Sequence, residues 1–132
     1  MKKVEITNGI LELAVSQAKY SDHKQRMGCI IFNKKRILSK GYNHSQRSAK
    51  KLHPKFQRYP GSIHAEVDAI LKARKDLKGS SLVIIRINKS GEFRLSKPCS
   101  KCLMYIESVG IKKVFYSIGN YPYIVEMNKN SI

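Results

Sequence analysis

Two short runs of this chain carry residue types that together can activate a water molecule. His64-Ala65-Glu66 supplies an imidazole and then a carboxylate, and Pro98-Cys99-Ser100-Lys101-Cys102 supplies two thiols in C-x-x-C spacing. Zinc takes imidazole nitrogen and thiolate sulfur in a tetrahedral shell, and a catalytic zinc leaves its fourth position to water. His64, Cys99 and Cys102 make three ligands, so the expectation is one zinc per chain with an open position. A zinc so held brings the pKa of its water down from the bulk value towards roughly 7. Glu66 is close enough to His64 to move protons to and from that water without ligating the metal.

The same residues have blander uses. A closed structural site needs four protein ligands, and Cys29 is the spare cysteine that could complete a Cys3His shell. Such a site has no use for Glu66. Cys29 lies in the apolar run Gly28-Cys29-Ile30-Ile31-Phe32, where a buried free thiol is the expected role. A redox reading of the C-x-x-C leaves His64 and Glu66 unexplained. Three cysteines form an odd set, and neither a signal peptide nor a transmembrane run is legible. Free thiols in a soluble, cytoplasmic, reducing setting are therefore expected.

Each half of the site is expected to open a helix. After Glu66, the apolar Val67, Ile70 and Leu71 keep a helical spacing, with Asp68, Lys72 and Lys75 on a solvated side and His64 in the first turn. Pro98 suits the first turn of a second helix, with Cys102, Tyr105, Ile106 and Val109 as its buried stripe and Gly110 as its stop. The ligands then face the positive ends of helix dipoles, which favour thiolate over thiol. Upstream, an amphipathic helix is expected from Thr7 to Tyr20, with Leu11, Ala14, Val15 and Ala18 on one side. Strands are expected near Cys29 to Asn33 and Arg36 to Tyr42, paired as a hairpin, and then at Leu82 to Ile87 and Lys113 to Ser117. The 132 residues, 42% of them hydrophobic, suit one domain, 1-132, with a single core. The order α-β-β-α-β-α-β predicts an α/β fold, a central mixed sheet with helices on its faces.

The chain resembles the cytidine deaminase superfamily, especially its dCMP-type zinc deaminases, over most of its length. The resemblance rests on Gly41-Tyr42-Asn43, His64-Ala65-Glu66-Val67-Asp68-Ala69-Ile70 and Ser96-Lys97-Pro98-Cys99-Ser100-Lys101-Cys102. H-x-E with P-C-x-x-C is the signature of zinc nucleobase deaminases. The resemblance implies a three-layer α/β/α cytidine deaminase-like fold with a five-stranded mixed sheet. It also implies a hydrolase of C–N bonds in cyclic amidines, which replaces an exocyclic amine by oxygen and releases ammonia. Carried over by position, His64, Cys99 and Cys102 bind zinc and Glu66 shuttles protons. Asn43 contacts the sugar or base, the Ala65 amide holds the base carbonyl, and Ser96 and Tyr116 join the substrate pocket. Asn43 also has a plain use, since asparagine after a strand often just ends it. The family allows a homo-oligomer.

The end of the chain departs from the dCMP-type pattern. Many nucleotide and polynucleotide deaminases of the superfamily place a further helix between their last two strands, and Ile118 to Ile132 leave little room for it. Val114 to Ser117, Gly119-Asn120-Tyr121-Pro122 and Tyr123 to Met127 read instead as a C-terminal β-hairpin, the alternative being a disordered tail marked by Pro122. That antiparallel ending belongs to the nucleoside deaminase branch.

A net charge of +17, from 26 Lys and Arg against 9 Asp and Glu, creates a field that draws in phosphate-bearing ligands. Arg47, Lys50, Lys51, Lys55 and Arg58 stand between Asn43 and Ile63 with no acidic residue among them, interleaved with His44, His53, Phe56 and Tyr59. Cations for phosphates and rings for stacking are the two components of single-strand binding. The alternatives are a solvated lysine-rich surface, with the aromatics anchoring the loop to the core. Three functions follow. One is deamination of a free cytosine nucleotide or nucleoside such as dCMP. The second acts on cytosine in single-stranded DNA or on a base in RNA. The third is a non-catalytic, zinc-stabilised nucleic-acid-binding module, which leaves Glu66 without a task.

Overall fold

The computed structural model describes residues 6–22, 24–45 and 62–127. In chain order these form α1 (Asn8–Lys19), β1 (Arg26–Asn33), β2 (Arg36–Tyr42), β3 (His44–Ser45), β4 (Ser62–Ile63) and α2 (Ala65–Lys72). Then come β5 (Ser81–Ile87), β6 (Phe93–Arg94), α3 (Ser100–Ser108), β7 (Lys113–Ser117) and β8 (Ile124–Glu126). The main sheet runs β2-β1-β5-β7-β8, with β6 paired to β5, and β3 and β4 pair with each other. β5 and β7 are parallel, while β1 is antiparallel to both β2 and β5, so the sheet is mixed as expected. β8 returns antiparallel along β7, with Val125 opposite Tyr116, which is the C-terminal hairpin read from the sequence.

Alternation on the central strands builds two cores, one on each side of the sheet. Ile30 and Phe32 of β1 and Val83, Ile85 and Ile87 of β5 face α1, meeting Ile10, Ala14 and Ala18. Cys29 and Ile31 of β1 and Leu82 and Ile84 of β5 face the other way, against Ala65, Ala69 and Ile70 of α2 and Leu103 and Ile106 of α3. Helices on both faces make three layers. Cys29 is a fully buried free thiol, as expected.

Two glycines let helices press onto the sheet backbone. A Cβ at Gly28 would meet the backbone of Ala14 and, at 2.6 Å, the Ala18 nitrogen. A Cβ at Gly41 would meet the Ala69 nitrogen and, at 2.8 Å, the Ala65 oxygen. α1 is turned slightly from the expected face: Ile10, Ala14 and Ala18 are buried, while Leu11 and Val15 are only partly covered. The second site helix also differs in detail. Cys99 is the N-cap of α3, so Pro98 lies just before the helix rather than in its first turn. Gly110, at φ +84°, stops the segment where expected. No helix among the described residues is long and apolar enough to cross a membrane.

Candidate active site

Two helix starts bring the motif residues together. His64 is the N-cap of α2, with extended backbone (φ −73°, ψ 153°) and no side-chain capping bond. Cys99 caps α3, its sulfur accepting the Cys102 amide at 3.4 Å. His64 Nδ1 lies 3.2 Å from Cys102 Sγ. The donor atoms of His64, Cys99 and Cys102 all lie within 4.8 Å of one another.

The electrostatics match this crowding. Cys99 is held far below the ordinary thiol range, at about 3, first by the hydrogen bond from the Cys102 thiol and then by His64. Cys102 is pushed up, because that hydrogen bond to Cys99 keeps its proton in place and burial adds to the effect. His64 is raised, chiefly by its hydrogen bond with Cys99, against the opposing pull of burial. Glu66 is raised by burial. It is 2% exposed, and its Oε1 has no hydrogen-bond partner among the described residues.

These features fit a metal ion with a reactive ligand. One imidazole and two sulfurs are a donor set that suits zinc, three protein ligands leave a position open, and the orphaned Glu66 oxygen supplies an acceptor beside it. Cys29, buried in the sheet core, is not part of the donor group, so no closed Cys3His shell forms.

A cleft of about 620 Å³ opens onto this group, within the size range of small-molecule sites. Asn43, His64, Glu66, Ser96 and Cys99 line it. Asn43 is buried, its Oδ1 accepting the Met27 amide at 2.9 Å and its Nδ2 donating to the Gln25 carbonyl at 2.7 Å. It therefore also ties the entry of β1 to the end of β2. Ala65 is the first residue of α2 and fully buried. The Ser96 hydroxyl donates to the Ile84 carbonyl at 2.8 Å and accepts the Ser117 amide at 2.8 Å. Ser117 in turn donates to the Arg94 carbonyl at 2.6 Å. Ser96 thus latches the segment before Cys99 onto β5 and β7. Tyr116 is not among the residues lining the cleft and packs instead on the α2–α3 side of the core.

The remaining expectations fare differently. Arg47, Lys50, Lys51, Lys55 and Arg58 lie outside the described residues, as do His53, Phe56 and Tyr59. Asp68, expected on a solvated face, is 3% exposed. Helical spacing shows which side a residue shares but not what covers that side, and here the end of β2 and His44 close over it. Among the described residues the cations that line the cleft are Lys24, Arg86 and Lys97, none of them given a role from the sequence. The legible signal for Arg86 was a charge inside the otherwise apolar β5.

A family model described as the cytidine and deoxycytidylate deaminase zinc-binding region matches residues 5–118. An uncharacterized deaminase in the luxG 3′ region of Aliivibrio fischeri is 30% identical over 97 residues, 71% of this chain and 59% of that protein. The deoxycytidylate deaminase of Schizosaccharomyces pombe is 27% identical over 120 residues, 80% of this chain and 35% of that protein. The chain therefore spans little more than half the length of one of these curated relatives and about a third of the other. Among solved structures, the dCMP deaminase of cyanophage S-TIM5 in complex with dCMP and dUMP superposes with a TM-score of 0.57 at 22% identity, covering 86% of this chain and 84% of that one. The cytidine deaminase of Burkholderia pseudomallei gives 0.61 at 12% identity, covering 96% and 95%. At these identities the likeness is one of fold.

Proposed function

The chain belongs to the cytidine and deoxycytidylate deaminase zinc-binding family, and we propose that it hydrolyses the exocyclic amine of cytosine in a free nucleotide such as dCMP, giving the uracil nucleotide and ammonia. The observation that carries this reading is Glu66, a buried carboxyl with an unpartnered oxygen beside the His64, Cys99 and Cys102 donors. A structural centre has no use for such a group, whereas a proton carrier needs one.

His64, Cys99 and Cys102 would hold zinc, which when bound acidifies a water molecule and polarises it for attack. Glu66 takes a proton from the attacking water and passes it to the ring nitrogen, then takes the second proton from the hydroxyl now on the ring carbon and delivers it to the departing amine, which leaves as ammonia. Burial raises its proton affinity, which brings it closer to the neutral range where it can both accept and donate. Asn43 and the Ala65 amide, at the cleft and at the start of α2, are proposed to hold the sugar and the base carbonyl. Ser96, with its hydroxyl engaged by Ile84 and Ser117, is proposed to fix the cleft wall rather than to touch substrate.

A panel of cytidine, dCMP, dCTP, cytosine-containing single-stranded DNA and RNA, assayed for ammonia release, tests the proposal. Turnover of dCMP well above the others supports it. Preferred turnover of a polynucleotide would transfer the assignment to the second reading, and no release from any member would refute the deaminase assignment.

A further inference from the structure

The cleft is unevenly charged in a way the deamination chemistry does not require. Among the described residues that line it, Lys24, Arg86 and Lys97 are cationic and Glu66 alone is acidic. Lys24 and Lys97 are exposed, so water already solvates them. Arg86 is different. It is half-buried near the end of β5, opposite Met27 of β1, which also lines the cleft. Its other cross-strand partner is Arg94, a like charge. Arg94 has an acid nearby, with its guanidinium 3.6 Å from Glu92. The Arg86 backbone amide is held by Ser117 Oγ at 3.0 Å, yet its guanidinium has no hydrogen-bonded or ion-paired partner among the described residues.

A partly desolvated guanidinium beside another cation is unfavourable unless an anion meets it. Its five donors form a rigid fork that matches phosphate oxygens two at a time. We propose that Arg86 is a specificity-determining residue that binds the phosphate of a mononucleotide whose base enters the same cleft, an inference that rests on the deaminase reading above. Lys24 and Lys97 add a positive field at the rim that speeds the approach of an anion without fixing its geometry. A single fork set inside a concavity suits one terminal phosphate. A polynucleotide backbone needs a row of cations along an open track.

The test compares dCMP with deoxycytidine, which differ only in the phosphate. Dissociation constants are measured by calorimetry on zinc-loaded protein carrying Glu66→Ala to prevent turnover, with Arg86 intact, Arg86→Gln or Arg86→Lys. Losing a charge-assisted phosphate contact weakens dCMP about 10- to 100-fold in the Gln variant, with partial recovery in the Lys variant and a much smaller change for deoxycytidine. Equal weakening of both ligands, no weakening of dCMP, or no dCMP binding with Arg86 intact overturns the proposal. So does a short single-stranded oligonucleotide whose binding depends on Arg86 more than that of dCMP. Ammonia release from dCMP by the unaltered protein is followed in parallel. Its absence counts against the deaminase reading, while the binding comparison decides the role of Arg86 separately.

Discussion

Asp68 Oδ1 lies 2.9 Å from His44 Nε2, joining α2 to the segment that follows β2. The other carboxylate oxygen accepts the Tyr42 amide at 3.0 Å and stands 2.8 Å from Lys72 Nζ. One buried carboxylate thus ties the helix that carries His64 and Glu66 to the strand end that leads into Asn43. Replacing it strands a backbone donor and removes the bond to an imidazole in a partly buried place. Asp68→Ala is expected to cost about 3 kcal/mol, the scale of breaking a buried pair from one side. Lys72→Ala, whose ammonium is half exposed, should cost about 0 to 1 kcal/mol. Urea unfolding of the two variants makes the comparison, and equal losses would show that Asp68 is not the anchor described.

Gly41 sets how closely α2 approaches β2. A methyl there would meet the backbone of Ala69 and Ala65, neither of which can swing aside as a side-chain tip would. Overpacking of this kind costs about 1 to 3 kcal/mol, and the displaced element is the one that begins at His64. Gly41→Ala should therefore lower stability and also reduce zinc content and turnover. Gly119→Ala, where an added Cβ comes no nearer than 3.8 Å to the Phe93 oxygen, is the control and should leave metal content unchanged. Full zinc occupancy in Gly41→Ala would break the link between this contact and the site.

Local residue chemistry made the grouping of His64, Cys99 and Cys102 with Glu66 legible, because imidazole, thiol and carboxylate at those spacings have few joint uses. The order of the main elements along the chain was legible for a related reason: apolar runs such as Leu82 to Ile87 are bounded by turns, whereas which strand lies beside which, and the short β3, β4 and β6, were not. What escaped depends on contacts between distant segments. Asp68 looks solvated on its own helix and is buried only because Tyr42 and His44 arrive over it. Arg86 looks like one more charge in a basic chain until the sheet places it in a cleft, its guanidinium without a partner among the described residues. Gly41 was legible only as part of a weak sequence match, and its reason is the backbone of α2 against β2.

Cys29 gives the fold an alkaline weakness. Burial, followed by the nearby charges of Glu66 and Asp68, pushes its thiol well above the usual range. The unfolded chain releases this proton near pH 8.5 while the folded protein keeps it, so above that pH the unfolded state binds fewer protons. Stability then falls as pH rises, by up to about 1.4 kcal/mol per pH unit for one group. The term is fully present below the unfolded pKa and is lost progressively towards the raised folded one. Cys29→Ala removes it, so the stability gap between the native chain and this variant should narrow between pH 8 and 10. Parallel curves across that window would show that Cys29 does not titrate differently in the two states.

Glu66 should separate stability from catalysis. Its buried Oε1, without a partner among the described residues, is a cost to the folded state, which offsets what is lost with the carboxyl's contact to the Cys102 thiol. Glu66→Ala is therefore expected to unfold at the same or a higher temperature than the native chain, and to keep its zinc because His64, Cys99 and Cys102 are intact. Turnover should fall by about 100- to 10,000-fold, the usual worth of a positioned acid or base. His64→Ala should behave in the opposite sense, losing metal and unfolding earlier, since a bound metal stabilises the folded state that presents its ligands. Adding a chelator should move the native chain towards the His64→Ala melting point and leave that variant where it was. Metal content, melting temperature and ammonia release, measured on both variants, sort the roles. A zinc-loaded Glu66→Ala protein that still turns over at the native rate would remove the carboxyl from the mechanism.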